Sequence, residues 1–231
     1  MPYDLFLFDL DDTLFDFAET EKHALHHTFQ FYDLPNGFNE YRESYRAISS
    51  VLWDDLEQDR TTLEELKVER FRRLFAEHQL ELDAMQFGEL YIENLGKESH
   101  LIEGVEEMLA GLADYRLAVL TNGFTLAQHA RVAGSSLRNT FEAIIASEET
   151  GFKKPQVEIF DYTFEKLGIT DKSRVLMVGD SLTSDIQGGC NAGIDTCWFN
   201  PSGRINNSAI QPSYEIRSWA EFSFGRQVVQ L

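Results

Sequence analysis

The stretch Phe6-Leu7-Phe8-Asp9-Leu10-Asp11-Asp12-Thr13-Leu14 constrains this chain more than any other. A short apolar run of this kind belongs inside a sheet, yet it ends abruptly in carboxylates. In a strand, residues two apart point the same way, so Asp9 and Asp11 converge where the strand gives way to a loop. Two like charges held together need a shared cation or proton. A divalent metal site at the C-terminal end of the first strand answers that need, and open α/β sheets bind ligands at strand ends of this kind. Taken alone, the same residues also read as a strand end followed by an Asp-rich turn.

The remaining apolar runs define the fold class. Short runs at Tyr3–Phe8, Arg116–Thr121, Ala143–Ala146, Arg174–Val178 and Thr196–Phe199 predict strands. They are apolar almost throughout, as parallel strands covered on both faces require. Helical patterns at Val105–Ala113, Leu126–Ala133, Val157–Leu167 and Ser184–Ala192 alternate with them, the last stopped by Gly193. Such alternation predicts an α/β domain with a doubly wound parallel sheet, formed by residues 1–14 and 101–231. Residues 15–100 read differently, as four helices near 18–32, 39–57, 62–79 and 83–95. Pro35, Asn36 and Gly37 break the first from the second, and Thr61 and Thr62 with Glu64 and Glu65 mark a capped start. This all-helical cap domain is inserted directly after the carboxylate loop, where a bundle serves as a lid. Ser202–Ser213, rich in Ser, Asn, Gly and Pro, is expected to be a surface loop.

Charge narrows the partners. A net charge of −19 argues against nucleic-acid polymers and anionic membranes, which need a basic surface. An anionic substrate must therefore be drawn by a local metal and a few Lys or Arg residues. Residues 15–100 carry 19 acidic and 9 basic residues, read as solvated helix faces. The two cysteines, Cys190 and Cys197, are too few for a disulfide scaffold and are expected as small buried apolar groups. No signal segment or membrane-length apolar run is seen, so a cytoplasmic location is expected.

Three further segments close predicted strands. Thr121-Asn122-Gly123 suits a turn wrapped around an oxyanion, or equally a helix cap. Lys154 precedes Pro155, which restricts its backbone to extended geometry; alone it reads as a surface lysine beside a helix start. Gly179-Asp180 ends another buried strand, with Asp185 one turn into the next helix, where it could simply offset the helix dipole. His23 and His27 lie one turn apart in the first cap helix, but with no third ligand apparent they read as solvated positions rather than a zinc pair.

These segments, in this order, resemble the signatures of the haloacid dehalogenase (HAD) superfamily. Asp9-Leu10-Asp11-Asp12-Thr13 matches its first motif and Thr121-Asn122 its second. Lys154-Pro155, with Ser147 and Gly151 upstream, resembles the third, and Gly179-Asp180 with Asp185 the fourth. The insertion resembles the type 1 helical cap, and the sheet the Rossmann-like core of that superfamily. Thr121-Asn122-Gly123-Phe124-Thr125, Val175–Asp180, Leu52-Trp53 and Cys197-Trp198 look most like the pyrimidine 5′-nucleotidase branch.

The resemblance implies a Mg²⁺-dependent phosphatase acting on a small phosphate monoester, with a nucleoside 5′-monophosphate as first choice. It implies that Asp9 is the nucleophile and Asp11 the general acid and base. Mg²⁺ is implied to be held by Asp9, the Asp11 main-chain carbonyl and Asp180, supported by Asp185. Thr121, Asn122 and Lys154 are implied to hold the phosphoryl oxygens. Phe17, Leu52 and Trp53 are candidate substrate contacts in the cap, or else members of its core. Alternatives are a phosphatase of phosphoglycolate or a sugar phosphate, and a phosphomutase. An idle interaction module is disfavoured because every motif residue is intact. A monomer or a homodimer is expected.

Overall fold

The computed structural model of the chain describes residues 3–34 and 36–222; Pro35, one of the expected helix breakers, lies outside them. β1 (Leu5–Phe8) is followed by α1 (Phe17–Phe31), α2 (Gly37–Glu57), α3 (Leu63–His78) and α4 (Ala84–Gly96). Next come α5 (Val105–Ala110), β2 (Arg116–Thr121), α6 (Thr125–Gly134), β3 (Ala143–Ala146), α7 (Ser147–Thr150) and α8 (Val157–Leu167). β4 (Val175–Gly179), α9 (Gln187–Ala192), β5 (Asp195–Phe199) and β6 (Tyr214–Ile216) complete the order. All strands are parallel, in the order β3-β2-β1-β4-β5-β6. The chain builds outward from β1 through β2 to β3 on one side, then crosses back to β4 on the other side, so the C-terminal end of β1 lies at the switch point of the sheet.

β1 is buried along its whole length because both faces are covered. Leu5 and Leu7 join Ile159, Phe160 and Phe164 of α8 in one core. Phe6 and Phe8 point to the opposite face, with Phe6 edge-on to Tyr115 at 5.6 Å and Phe8 to Trp219 at 6.2 Å. Period-two alternation inside an unbroken apolar run explains why the sequence shows no polar face there.

The described residues form two compact units. The first comprises residues 1–17, 100–125 and 135–231 as far as they are described, and holds the sheet. The second comprises 18–99 and 126–134 and is entirely helical. Residues 126–134 of α6 thus pack with the insertion, whereas the sequence reading placed them in the core. Gly96 is the reason: a Cβ there would stand 3.0 Å from the Ala130 Cβ, so bare backbone permits the close approach. Ser99 Oγ donates to the Arg131 carbonyl at 3.0 Å, and buried Arg131 reaches Thr20 Oγ1.

The helical unit has an aromatic centre. Phe71 meets Phe87 at 4.7 Å and Tyr91 at 5.3 Å, and the Arg70 guanidinium lies 4.5 Å over the Tyr91 ring. Thr62 and Glu65 form the capping box expected at the start of α3, each side chain bonded to the other's backbone N–H.

Three more expectations are corrected, and one strand is new. β1 begins at Leu5 rather than Tyr3, and β6 was not foreseen. The helix expected over Ser184–Ala192 is a π-helical turn, Leu182–Ile186, running into α9. Cys190 is exposed, although Cys197 is buried as expected. Among the described residues no helix is long and apolar enough to cross a membrane.

Candidate active site

Register brings the motif residues to one edge of the first unit. Phe8 pairs with Val119 of β2 and Val178 of β4, so Asp9, Thr121 and Asp180 follow at nearly one level beyond three adjacent strands. The Asp9 N–H donates to the Val178 carbonyl at 2.9 Å, prolonging the ladder by one bond and fixing where its side chain leaves the sheet. The chain then turns sharply: the N–H groups of Leu14 and Phe15 both donate to the Leu10 carbonyl, and Asp12 takes φ 58°. Asp12 Oδ1 accepts the N–H of Phe17 at 3.2 Å, a carboxylate at the start of α1.

Lys154 is the electrostatic centre. Its side chain is buried, and its Nζ donates to Asp9 Oδ1 at 2.6 Å, Asp185 Oδ1 at 2.7 Å and the Leu120 carbonyl at 2.6 Å. All three protons of the ammonium are used. Burial alone would lower its pKa, but Asp185 and Asp9 outweigh that and hold it charged. The expected surface-lysine alternative is thereby removed. Asn122 fixes the lysine backbone from both sides: its Nδ2 donates to the Lys154 carbonyl at 2.9 Å and its Oδ1 accepts the Lys154 N–H at 2.8 Å. Asn122 Nδ2 also reaches Ser184 Oγ at 3.3 Å. Thr121 Oγ1 accepts the Gly123 N–H at 3.1 Å and shapes the turn after β2.

The π-helical turn places Asp185. Ser181 caps it by accepting the Ser184 N–H, and Asp185 Oδ2 accepts the Ser181 N–H at 3.0 Å. The Asp185 carboxylate lies so close to Gly179 that a Cβ on that residue would stand 2.2 Å from it. Glycine here is a steric requirement of the site. Carboxylate oxygens of Asp9, Asp180 and Asp185 lie within 4.8 Å of one another, while Asp11 is partly exposed at the loop.

Three carboxylates share one lysine, and the excess charge shows in the proton affinities of Asp9 and Asp180. Burial pushes Asp9 well up, with Asp185 and Asp11 adding to the effect and Lys154 opposing it. Asp180 is pushed up to about 7 by burial, then by Asp185 and Asp12, against Arg204 and Lys154. Arg204 went unnoticed in the sequence. Its Nη2 donates to the Asp180 carbonyl at 2.6 Å and approaches Oδ2 at 3.4 Å. Trp198 Nε1 donates to the same carbonyl at 2.8 Å, and the Arg204 guanidinium lies 5.6 Å over the indole. An arginine in a Ser/Asn/Gly loop was the available signal.

Leu52 is buried within the helical unit, Trp53 is half-buried there, and Phe17 is half-buried at the start of α1.

A doubly wound parallel sheet with a buried carboxylate–lysine pair at its switch point defines a Rossmann-like enzyme core. The chain belongs to the haloacid dehalogenase-like hydrolases, whose family model matches residues 3–193. It is similar to the HAD-hydrolase YfnB of Bacillus subtilis, 37% identical over 95% of this chain and 93% of that protein. A crystal structure of YfnB bound to magnesium superposes with TM-score 0.89, covering 96% of this chain and 97% of that one. The pyrimidine 5′-nucleotidase PynA of Streptococcus pneumoniae is 36% identical over 96% of this chain and 94% of its own length. The pyrimidine 5′-nucleotidase YjjG of Escherichia coli is 34% identical over 96% of both.

Proposed function

We propose that this hydrolase is a Mg²⁺-dependent phosphatase of small phosphate monoesters, with a pyrimidine nucleoside 5′-monophosphate as the first substrate to consider. The observation that carries the reading is the Asp9–Lys154–Asp185 arrangement at 2.6 and 2.7 Å, with Asp11 two residues beyond the nucleophile position. The nucleotide choice rests on the likeness to PynA and YjjG.

The donor set suits magnesium. Asp9, Asp180 and Asp185 offer only oxygen, and the raised proton affinities of Asp9 and Asp180 mark an excess of negative charge that a divalent cation relieves. Asp9, Asp180 and the Asp11 carbonyl are the ligands in this reading. Asp185, with both oxygens engaged by Lys154 and Ser181, steadies them. Bound magnesium supplies neutralisation of phosphoryl charge.

The chain's own residues do the rest. An Asp9 oxygen attacks phosphorus and the ester P–O bond breaks, leaving an aspartyl-phosphate. Asp11 gives its proton to the departing alkoxide, then removes one from the water that attacks the same phosphorus. That second displacement frees the Asp9 carboxylate and phosphate. Lys154 holds Asp9 in line and faces the developing negative charge. Thr121 belongs to the phosphoryl-binding set, and Asn122 serves it by fixing Lys154. Phe17 and Trp53 are the cap residues assigned to substrate choice; Leu52, being buried, is assigned to packing. The same residues would serve a sugar phosphate, phosphoglycolate or a mutase reaction.

The test is phosphate release with Mg²⁺ across nucleoside monophosphates, sugar phosphates and phosphoglycolate, with Asp9→Asn as control. Release centred on pyrimidine nucleotides and absent in the control is expected. Release centred on other esters would discard the nucleotide assignment, and a fully active control would discard the covalent mechanism.

A further inference from the structure

His23 and His27 lie one turn apart on α1, so their rings share one helix face. In the sequence this pair lacked a third ligand. The fold supplies it: Glu98, just past the end of α4, reaches the same place. A ring nitrogen of each histidine and a carboxylate oxygen of Glu98 all lie within 4.8 Å of one another. His27 Nε2 is already 3.7 Å from Glu98 Oε1. The Glu98 side chain is only 16% exposed, so its carboxylate is held in place beneath two half-exposed imidazoles. All three residues belong to the helical unit, and none takes part in the aspartate centre.

We infer that His23, His27 and Glu98 form a second metal site, for a divalent cation of the zinc class. Two imidazoles and a carboxylate are a donor set that zinc accepts while keeping a fourth position for water. Magnesium prefers oxygen ligands, so the nitrogen-bearing site and the all-oxygen site select different cations. Tetrahedral ligands at about 2.1 Å from zinc stand roughly 3.4 Å apart. The present separations therefore close by about an ångström through rotation of two half-exposed imidazoles. Glu19 adds negative charge on the same face, with its carboxylate 3.5 Å from His23 Nε2 and 2.8 Å from Lys22 Nζ. Lys22 offsets part of that charge. A cation held by α1 and by the chain leaving α4 cross-links two distant stretches of the helical unit, and so stabilises it in proportion to its occupancy.

The test titrates Co²⁺ into the full-length protein in a large excess of Mg²⁺, which occupies the aspartate centre. Visible absorption reports tetrahedral Co²⁺, and Zn²⁺ is then added as competitor. The expected result is one equivalent of Co²⁺ whose absorption is bleached by Zn²⁺. His27→Gln and His23→Gln should each weaken it at least about tenfold, since even supporting partners of a metal ligand are worth that much. Asp180→Asn should leave it unchanged, and Zn²⁺ should raise the melting temperature of the wild type but not of His27→Gln. Binding that survives both histidine substitutions, or that disappears with Asp180→Asn, would overturn the assignment. Absence of any Co²⁺ signal up to millimolar concentration would do the same.

Discussion

Lys154 offers one positive charge to two buried carboxylates at hydrogen-bond distance. Removing it strands both. Lys154→Met keeps the length of the side chain and deletes the charge. It is expected to destabilise the metal-free protein by about 3 kcal/mol or more, the usual scale for one partner of a buried ion pair. Turnover should fall at least ~100-fold, as for loss of a donor facing developing charge. Urea unfolding and phosphate release measure the two effects; an unaltered midpoint would overturn the stabilising role given to the buried pair. Arg204 acts at the other end of the site, where it is one of the charges holding Asp180 down. Arg204→Gln should therefore move the acidic limb of Mg²⁺ binding to higher pH, followed by calorimetric titration at a series of pH values. An unmoved limb would make the contact at 3.4 Å incidental. Asp9, Asp180 and Lys154 were legible because each closes a strand or precedes a proline. Arg204 was not, because 24 residues of chain separate it from the carbonyl it binds. Asn122 was legible as a site residue, but its bonds to the Lys154 backbone belong to geometry that spacing does not encode.

Among the elements, the π-helical turn after β4 departs most from what local pattern suggests. One widened turn carries Asp185 back over Gly179. Gly179→Ala would place a methyl group 2.2 Å from that carboxylate. Either the turn or the strand end must shift, and Asp185 then leaves Lys154. The expected outcome is a loss of Mg²⁺ affinity and turnover together, with far-UV dichroism retained, measured by calorimetric titration and phosphate release. Wild-type Mg²⁺ affinity in this variant would mean that Asp185 has no part in the metal site. Strands buried on both faces announce themselves as apolar runs, so β2 and β3 were bounded as they stand. β6 escaped because it is three residues long and holds only Ile216 fully buried. α7, Ser-Glu-Glu-Thr, has no apolar face to give a period. The docking of residues 126–134 on the insertion depends on Gly96 meeting Ala130, a spatial fact with no local signature.

For the whole molecule, the excess of carboxylates links stability to pH and to magnesium. Asp180 has a folded pKa of about 7 against an ordinary value of 3.8. The folded state therefore binds a proton that the unfolded state has already lost. The resulting stabilisation is full below about pH 4 and is lost as pH rises through about 7. Metal-free protein is expected to be less stable at pH 8 than at pH 6 by on the order of 1 kcal/mol, and so to melt at a lower temperature. The net charge of −19 is not the cause, because ordinary carboxylates are fully ionised across that interval. Magnesium binds the ionised form, so it should raise the melting temperature more at pH 8 than at pH 6. Calorimetry with chelator and with excess Mg²⁺ at both pH values measures this difference. Asp180→Asn separates the contribution of this carboxyl from that of every other group in the chain. If the fall in stability resides in Asp180, the variant should lose it and its response to magnesium together. If the fall persists in the variant, Asp180 does not carry it, and this strand-end carboxylate holds its charge without a cation.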